Sequence, residues 1–144
     1  MSDFYREVIL DHYKNPRGHG PMEGPDAQAE GMNPLCGDEL TVYLKVAGDV
    51  IQDIGFQGAG CAISKASASM MTDAVKGRTT AEADALFQRF HRMVTTPPDQ
   101  PVEDMGKLSS LAGVREFPVR VKCASLAWHT LQAAMAQKPK VSTE

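Results

Sequence analysis

Two runs of alternating apolar and polar residues, Leu40–Val46 and Val50–Gln57, flank the pair Gly48-Asp49. Period-two alternation marks half-buried strands, and a two-residue link containing glycine fits an antiparallel hairpin. Val50, Ile54 and Phe56 are expected on its inward face. This hairpin constrains the rest of the chain. Whatever precedes its first strand and whatever follows its second must meet at the same end of a sheet. Asn33-Pro34-Leu35-Cys36-Gly37-Asp38 stands before the first strand, and Gly58-Ala59-Gly60-Cys61 stands after the second.

The chain has three cysteines, Cys36, Cys61 and Cys123, which cannot all pair with one another. A buried free cysteine often serves only as a small hydrophobe, but the settings here favour thiolate. Cys61 is placed to open a helix, where the macrodipole and free N–H groups stabilise negative charge. Cys123 follows Arg120 and Lys122 near the start of another helix, and Cys36 is displayed in a loop bounded by Pro34 and Gly37. Adding Asp38 gives three thiols and a carboxylate, a donor set suited to a tetrahedral metal such as zinc. Ionised and gathered together, these groups form an anionic cluster that needs a cation, and a dication would halve its charge. The spacing itself carries little, because no C-x-x-C pair is present. The four histidines are not expected to be ligands: His12 joins a helix stripe, His19 lies in a loop, and His91 and His129 sit within helices.

The remaining pattern is mostly helical. Ser2 is a candidate N-cap for a helix with Tyr5, Val8, Ile9, His12 and Tyr13 on one stripe, stopped by Asn15-Pro16. Arg17–Gly31 reads as a loop, with a short edge strand near Ala27–Glu30. Cys61 opens a helix carrying Ile63, Ala66, Met70 and Ala74, ended by Gly77. Thr79-Thr80-Ala81-Glu82 forms a capping box for the next, which turns Ala83, Leu86, Phe90 and Met93 inward. A short helix over Lys107–Ala112 should stop at Gly113, and the last helix, after Pro118, carries Val121, Ala124, Trp128, Leu131 and Met135.

At 144 residues the chain is expected to form one domain over residues 1–144, with 138–144 as a frayed tail. A net charge of −3 gives no reason to expect nucleic acid as a partner. No stretch approaches the roughly 20 apolar residues needed to span a bilayer. Asp3, Arg6 and Glu7 interrupt any secretory leader. Thiols without a full set of partners point to the cytoplasm.

Nearly the whole chain resembles the iron–sulfur cluster assembly proteins of the IscU/NifU-N family, specifically its SufU branch. The resemblance is carried by Tyr5–Pro16, by Asn33–Asp38, by Gly58-Ala59-Gly60-Cys61-Ala62-Ile63-Ser64 and by Val121–Trp128. Two departures from the scaffold branch decide the placement. Lys122 occupies the position where scaffolds carry histidine, just before the third cysteine, and roughly Phe87–Glu116 is an interval that scaffolds lack. Glu116-Phe117-Pro118-Val119-Arg120 also replaces the Leu-Pro-Pro-Val-Lys segment that scaffolds offer to a chaperone.

The resemblance implies an α+β, SufE/NifU-like fold: a small antiparallel sheet of about three strands with helices packed on one face. It implies zinc held by Cys36, Asp38, Cys61 and Cys123. It also implies a sulfurtransferase role, with Cys36 accepting persulfide sulfur from a SufS-type cysteine desulfurase once a histidine of that enzyme replaces it on zinc. The sulfur would pass to a SufBCD-type scaffold. Two alternatives remain at this point: a scaffold carrying a transient [2Fe–2S] cluster on the same ligands, and a structural zinc domain for protein interaction.

Overall fold

The computed structural model describes residues 3–34 and 37–142, with side chains from Arg6 onward. Ser2 and Cys36, to which the sequence assigns a cap and a ligand, lie outside the described residues. Helix α1 (Asp3–Lys14) is followed by strands β1 (Ala27–Asn33), β2 (Asp38–Ala47) and β3 (Val50–Ala59). Then come helices α2 (Ala62–Val75) and α3 (Thr80–Thr95), a 3₁₀ segment over Gly106–Glu116, helix α4 (Pro118–Met135) and strand β4 (Lys140–Ser142).

The hairpin forms as its alternation requires, with Ala47 opposite Val50 across Gly48-Asp49. Leu40, Val42 and Leu44 line its inner face together with Ile54 and Phe56. One detail differs from the expectation. The register slips between Lys45 and Val46, so Gln52 has no opposite residue, and Ile51 rather than Val50 fills the core. An extra residue in one strand bends it and resets the alternation.

The sheet has four strands in the order β3-β2-β1-β4, one more than expected, and it is not wholly antiparallel. β4 runs parallel to β1, matching Glu30 to Lys140 and Met32 to Ser142. Lys140–Ser142, within the tail expected to fray, is thus paired, and Glu30 N–H donates to the Pro139 carbonyl at 2.8 Å. β1 runs on to Asn33 and lies inside the sheet instead of at its edge. A three-residue strand is too short to show any periodicity, so only the packed structure reveals it.

Helices α2 and α4 cover the inner face of the sheet, and α1, α3 and the 3₁₀ segment pack outside them. α4 comes very close to β1 at Gly31, where an added Cβ would overlap Thr130 Oγ1 and sit 3.1 Å from Leu126 Cδ1. The 3₁₀ segment continues through Gly113, the expected stop, because Val114 is buried beyond it along with Leu108 and Leu111. α1 buries Ile9 and His12, and Nδ1 of His12 lies 2.7 Å from Ser69 Oγ.

α2 and α4 are tied together by Ser67. Its hydroxyl donates to the Ala124 carbonyl at 2.6 Å and accepts from Trp128 Nε1 at 3.2 Å. Trp128 is fully buried and stacks on Phe90 with centroids 4.7 Å apart. Replacing Ser67 with alanine leaves a buried indole N–H and a buried carbonyl short of a partner, at a cost of about 1–3 kcal/mol. The expected result is a melting temperature lower by several degrees, read by circular dichroism, with the fold retained. An unchanged melting point would mean that the clamp contributes nothing.

Candidate metal centre

The strand period that builds the core also places polar groups at its end. Asp38 is on the inward row of β2 with Leu40, Val42 and Leu44, and Asn33 continues the inward row of Ala29 and Gly31 on β1. The two lie opposite each other in register. Both are buried, Asn33 fully and Asp38 to within 1%. They close the base of the loop that carries Cys36.

β3 ends beside them and the chain turns into α2. Cys61 is the N-cap of that helix, with an extended backbone, and its Sγ accepts from the Ser64 N–H at 3.5 Å. The Cys61 N–H in turn donates to Asp38 Oδ1 at 3.0 Å. Gly60 leaves room for this approach: a Cβ there would lie 3.1 Å from both Asp38 Oδ1 and Ser64 Oγ, tighter than ordinary contact. Cys123 enters from the second turn of α4, fully buried, and its Sγ accepts from Asn33 Nδ2 at 3.6 Å.

One carboxylate oxygen of Asp38 and the sulfurs of Cys61 and Cys123 therefore lie within 4.8 Å of one another. Tetrahedral zinc holds such donors about 3.5–3.8 Å apart, given bonds of about 2.0–2.3 Å. The set needs to contract by about 1.3 Å at most. Asp38 Oδ2 is buried and has no hydrogen-bond partner among the described residues. A buried, unpaired carboxylate oxygen is costly unless a cation or donor meets it, so the residues present fit a metal ion.

The donor set is not sealed. Cys61 is half-buried and borders a surface cavity of about 380 Å³ lined also by Ile63, Val114, Phe117 and Arg120. Phe117 and Val119 are 60% and 49% exposed at the start of α4. Lys122 is half-buried and Arg120 exposed.

No histidine joins the group among the described residues. His91 and His129 pack against Phe87 on α3 and α4, with centroids 6.0 Å and 5.2 Å from its ring. Burial pushes the His129 imidazole below the usual histidine range, with a smaller push from His91. His12 is lowered too, by burial first and then by Arg17.

Asn33 and Ser64 belong to the site but were given no role from sequence. The signal was present for Asn33, since it stands two and four residues along the same inward row as Gly31 and Ala29. No local pattern announced its approach to Cys123, which lies 90 positions away.

Comparison with known proteins agrees with this architecture. The profile of the NifU-like N terminal domain matches residues 4–142. The chain is 41% identical over 139 residues to the zinc-dependent sulfurtransferase SufU of Bacillus subtilis strain 168, covering 96% of this chain and 93% of that protein. It is 43% identical over 135 residues to the iron–sulfur cluster assembly scaffold protein IscU of Streptococcus pyogenes serotype M1, covering 94% and 84%. A crystal structure of FiSufU from Fervidobacterium islandicum AW-1, a candidate scaffold protein for the SUF system, superposes with a TM-score of 0.83. It shares 36% identity, over 90% of this chain and 94% of that one. With its fold and nearly its whole length matched, this chain belongs to the NifU-like N terminal domain family.

Proposed function

We propose that this protein is a zinc-dependent sulfur carrier that accepts persulfide sulfur from a SufS-type cysteine desulfurase and delivers it to a SufBCD-type scaffold. The observation that carries this reading is the convergence of Asp38, Cys61 and Cys123, with an Asp38 oxygen that has no partner among the described residues. The likeness to a relative named as a zinc-dependent sulfurtransferase supports it. Cys36 is the fourth ligand and the acceptor. Two peptide units join it to Asp38, a reach of at most about 7 Å between Cα atoms. When bound, zinc supplies the positive charge that keeps the ligand thiols deprotonated.

The chain's own groups do the rest. Asp38 is held by the Cys61 N–H, so the carboxylate and the helix start stay fixed while the loop thiol is used. The Cys36 thiolate attacks the terminal sulfur of the partner's persulfide. A new S–S bond forms on Cys36, the partner's S–S bond breaks, and the partner's cysteine leaves as thiolate. Sulfur moves without net oxidation.

A second reading has a specific observation behind it: the 43% identity to a relative named as a cluster assembly scaffold. Lys122, where the scaffold pattern carries histidine, favours the carrier, because an ammonium has no lone pair for iron. Anaerobic purification discriminates the two. The carrier predicts one zinc per chain and a colourless protein, with chelation lowering the melting temperature. Iron with matching sulfide and a brown preparation would establish the scaffold instead.

A further inference from the structure

Two sulfurs of the site are already engaged by N–H donors: Cys123 Sγ by Asn33 Nδ2 at 3.6 Å, and Cys61 Sγ by the Ser64 backbone at 3.5 Å. Both fall within the range expected for the larger sulfur acceptor. Asn33 is fully buried, so bulk water does not compete for its donor. An amide at this position needs a reason. The rest of the inward row of β1 is Ala29 and Gly31, and Asn33 Oδ1 has no partner among the described residues. Burying an amide is unfavourable unless it is hydrogen-bonded, and the bond the structure shows for it is the N–H on the Cys123 sulfur.

We propose that Asn33 is a positioning residue that damps the nucleophilicity of Cys123, as the Ser64 amide damps Cys61, and so holds transferred sulfur on the loop thiol. The inference rests on the sulfur-carrier reading. An N–H donor draws electron density from a thiolate lone pair, and that lone pair is the nucleophile in thiol exchange. Burial stops a partner from reaching Cys123, but it does not stop migration inside the ligand set. If Cys36 shares the ligand set, as the carrier reading has it, then once it carries a persulfide the Cys123 thiolate could attack the terminal sulfur. The S–S bond on Cys36 would break, a new one would form on Cys123, and Cys36 would return to thiolate. Sulfur moved there would be buried and lost to the downstream acceptor. The Asn33 hydrogen bond opposes that step.

The wild-type protein loaded with NMR-active cadmium and labelled with nitrogen isotope tests the bonds directly. Scalar coupling from cadmium to the Asn33 side-chain amide and to the Ser64 amide is expected, transmitted through sulfur. Cadmium bound by cysteine without coupling to Asn33 would overturn the inference and leave the carrier reading standing. Protein that holds no cadmium on cysteine would remove both.

Asn33→Ala and Asn33→Leu then test the consequence. They change volume in opposite senses and share the loss of the amide, whose N–H is the bond to Cys123. After incubation with desulfurase and cysteine, the ratio of persulfide on Cys123 to persulfide on Cys36 should rise on the order of tenfold in both, as expected for losing a hydrogen bond to a charged acceptor. An unchanged ratio in either folded variant would overturn the proposal. Failure of both variants to fold would make Asn33 a purely structural residue and overturn it equally.

Discussion

Replacing Cys36 with serine should abolish persulfide loading and stimulation of the desulfurase, while circular dichroism reports a folded protein. Cys61 caps α2 and Cys123 is packed within α4, both tied into the core by the helices that carry them. A substitution at either should disturb helix packing and metal retention together. Cys36 is different in the sequence itself, since Pro34 and Gly37 bound its loop and the paired residues Asn33 of β1 and Asp38 of β2 close that loop at its base. A thiol on such a loop can meet a partner's persulfide and return without moving a packed helix. Serine keeps the size and a weak oxygen donor but cannot form a persulfide. Mass spectrometry after incubation with desulfurase and cysteine should place the added sulfur on Cys36 in the wild type and on no residue in the variant. Sulfur found mainly on Cys61 or Cys123, or a variant that still turns over, would end the acceptor assignment.

The second large effect is expected at Asp38. Its two oxygens have separate duties: Oδ1 accepts from the Cys61 N–H at 3.0 Å, while Oδ2 is buried without a partner among the described residues. Asp38→Ala removes both, leaving the N-cap amide of α2 unpaired and the donor set one short. Loss of an outer-shell partner alone typically weakens metal binding about 10–100-fold, so loss of the ligand should cost more than about 100-fold in zinc affinity. Competition with a chromophoric chelator measures this. Asp38→Asn separates the duties, because an amide oxygen can still accept from Cys61 while the negative charge is gone. It should keep the melting temperature of the metal-free protein and still bind zinc poorly. Full zinc retention in Asp38→Ala would show that Asp38 is not a ligand.

Much of this molecule is written in local sequence. The β2–β3 hairpin follows from alternation around Gly48-Asp49, and the capping box of Thr79 and Glu82 forms both of its hydrogen bonds. The inward stripe of α4 buries Ala124, Trp128 and Leu131. Each of these depends on residues a few positions apart, where backbone period and side-chain reach set the outcome. The meeting of Asp38 with Cys61 was also legible, since antiparallel pairing sends both to one end of the sheet.

What the sequence alone did not determine are contacts whose partners are far apart in the chain and set by how layers pack. The parallel pairing of Lys140–Ser142 with β1 has no period to announce it. The slip that turns Ile51 inward depends on how β3 fits against β2 and the helices over it. The Asn33–Cys123 bond joins residues 90 apart. It exists because α4 can lie directly on β1 at Gly31, where no side chain intervenes. Local periodicity therefore decided which face each residue presents. The close packing of one helix on one strand decided which sulfur Asn33 meets.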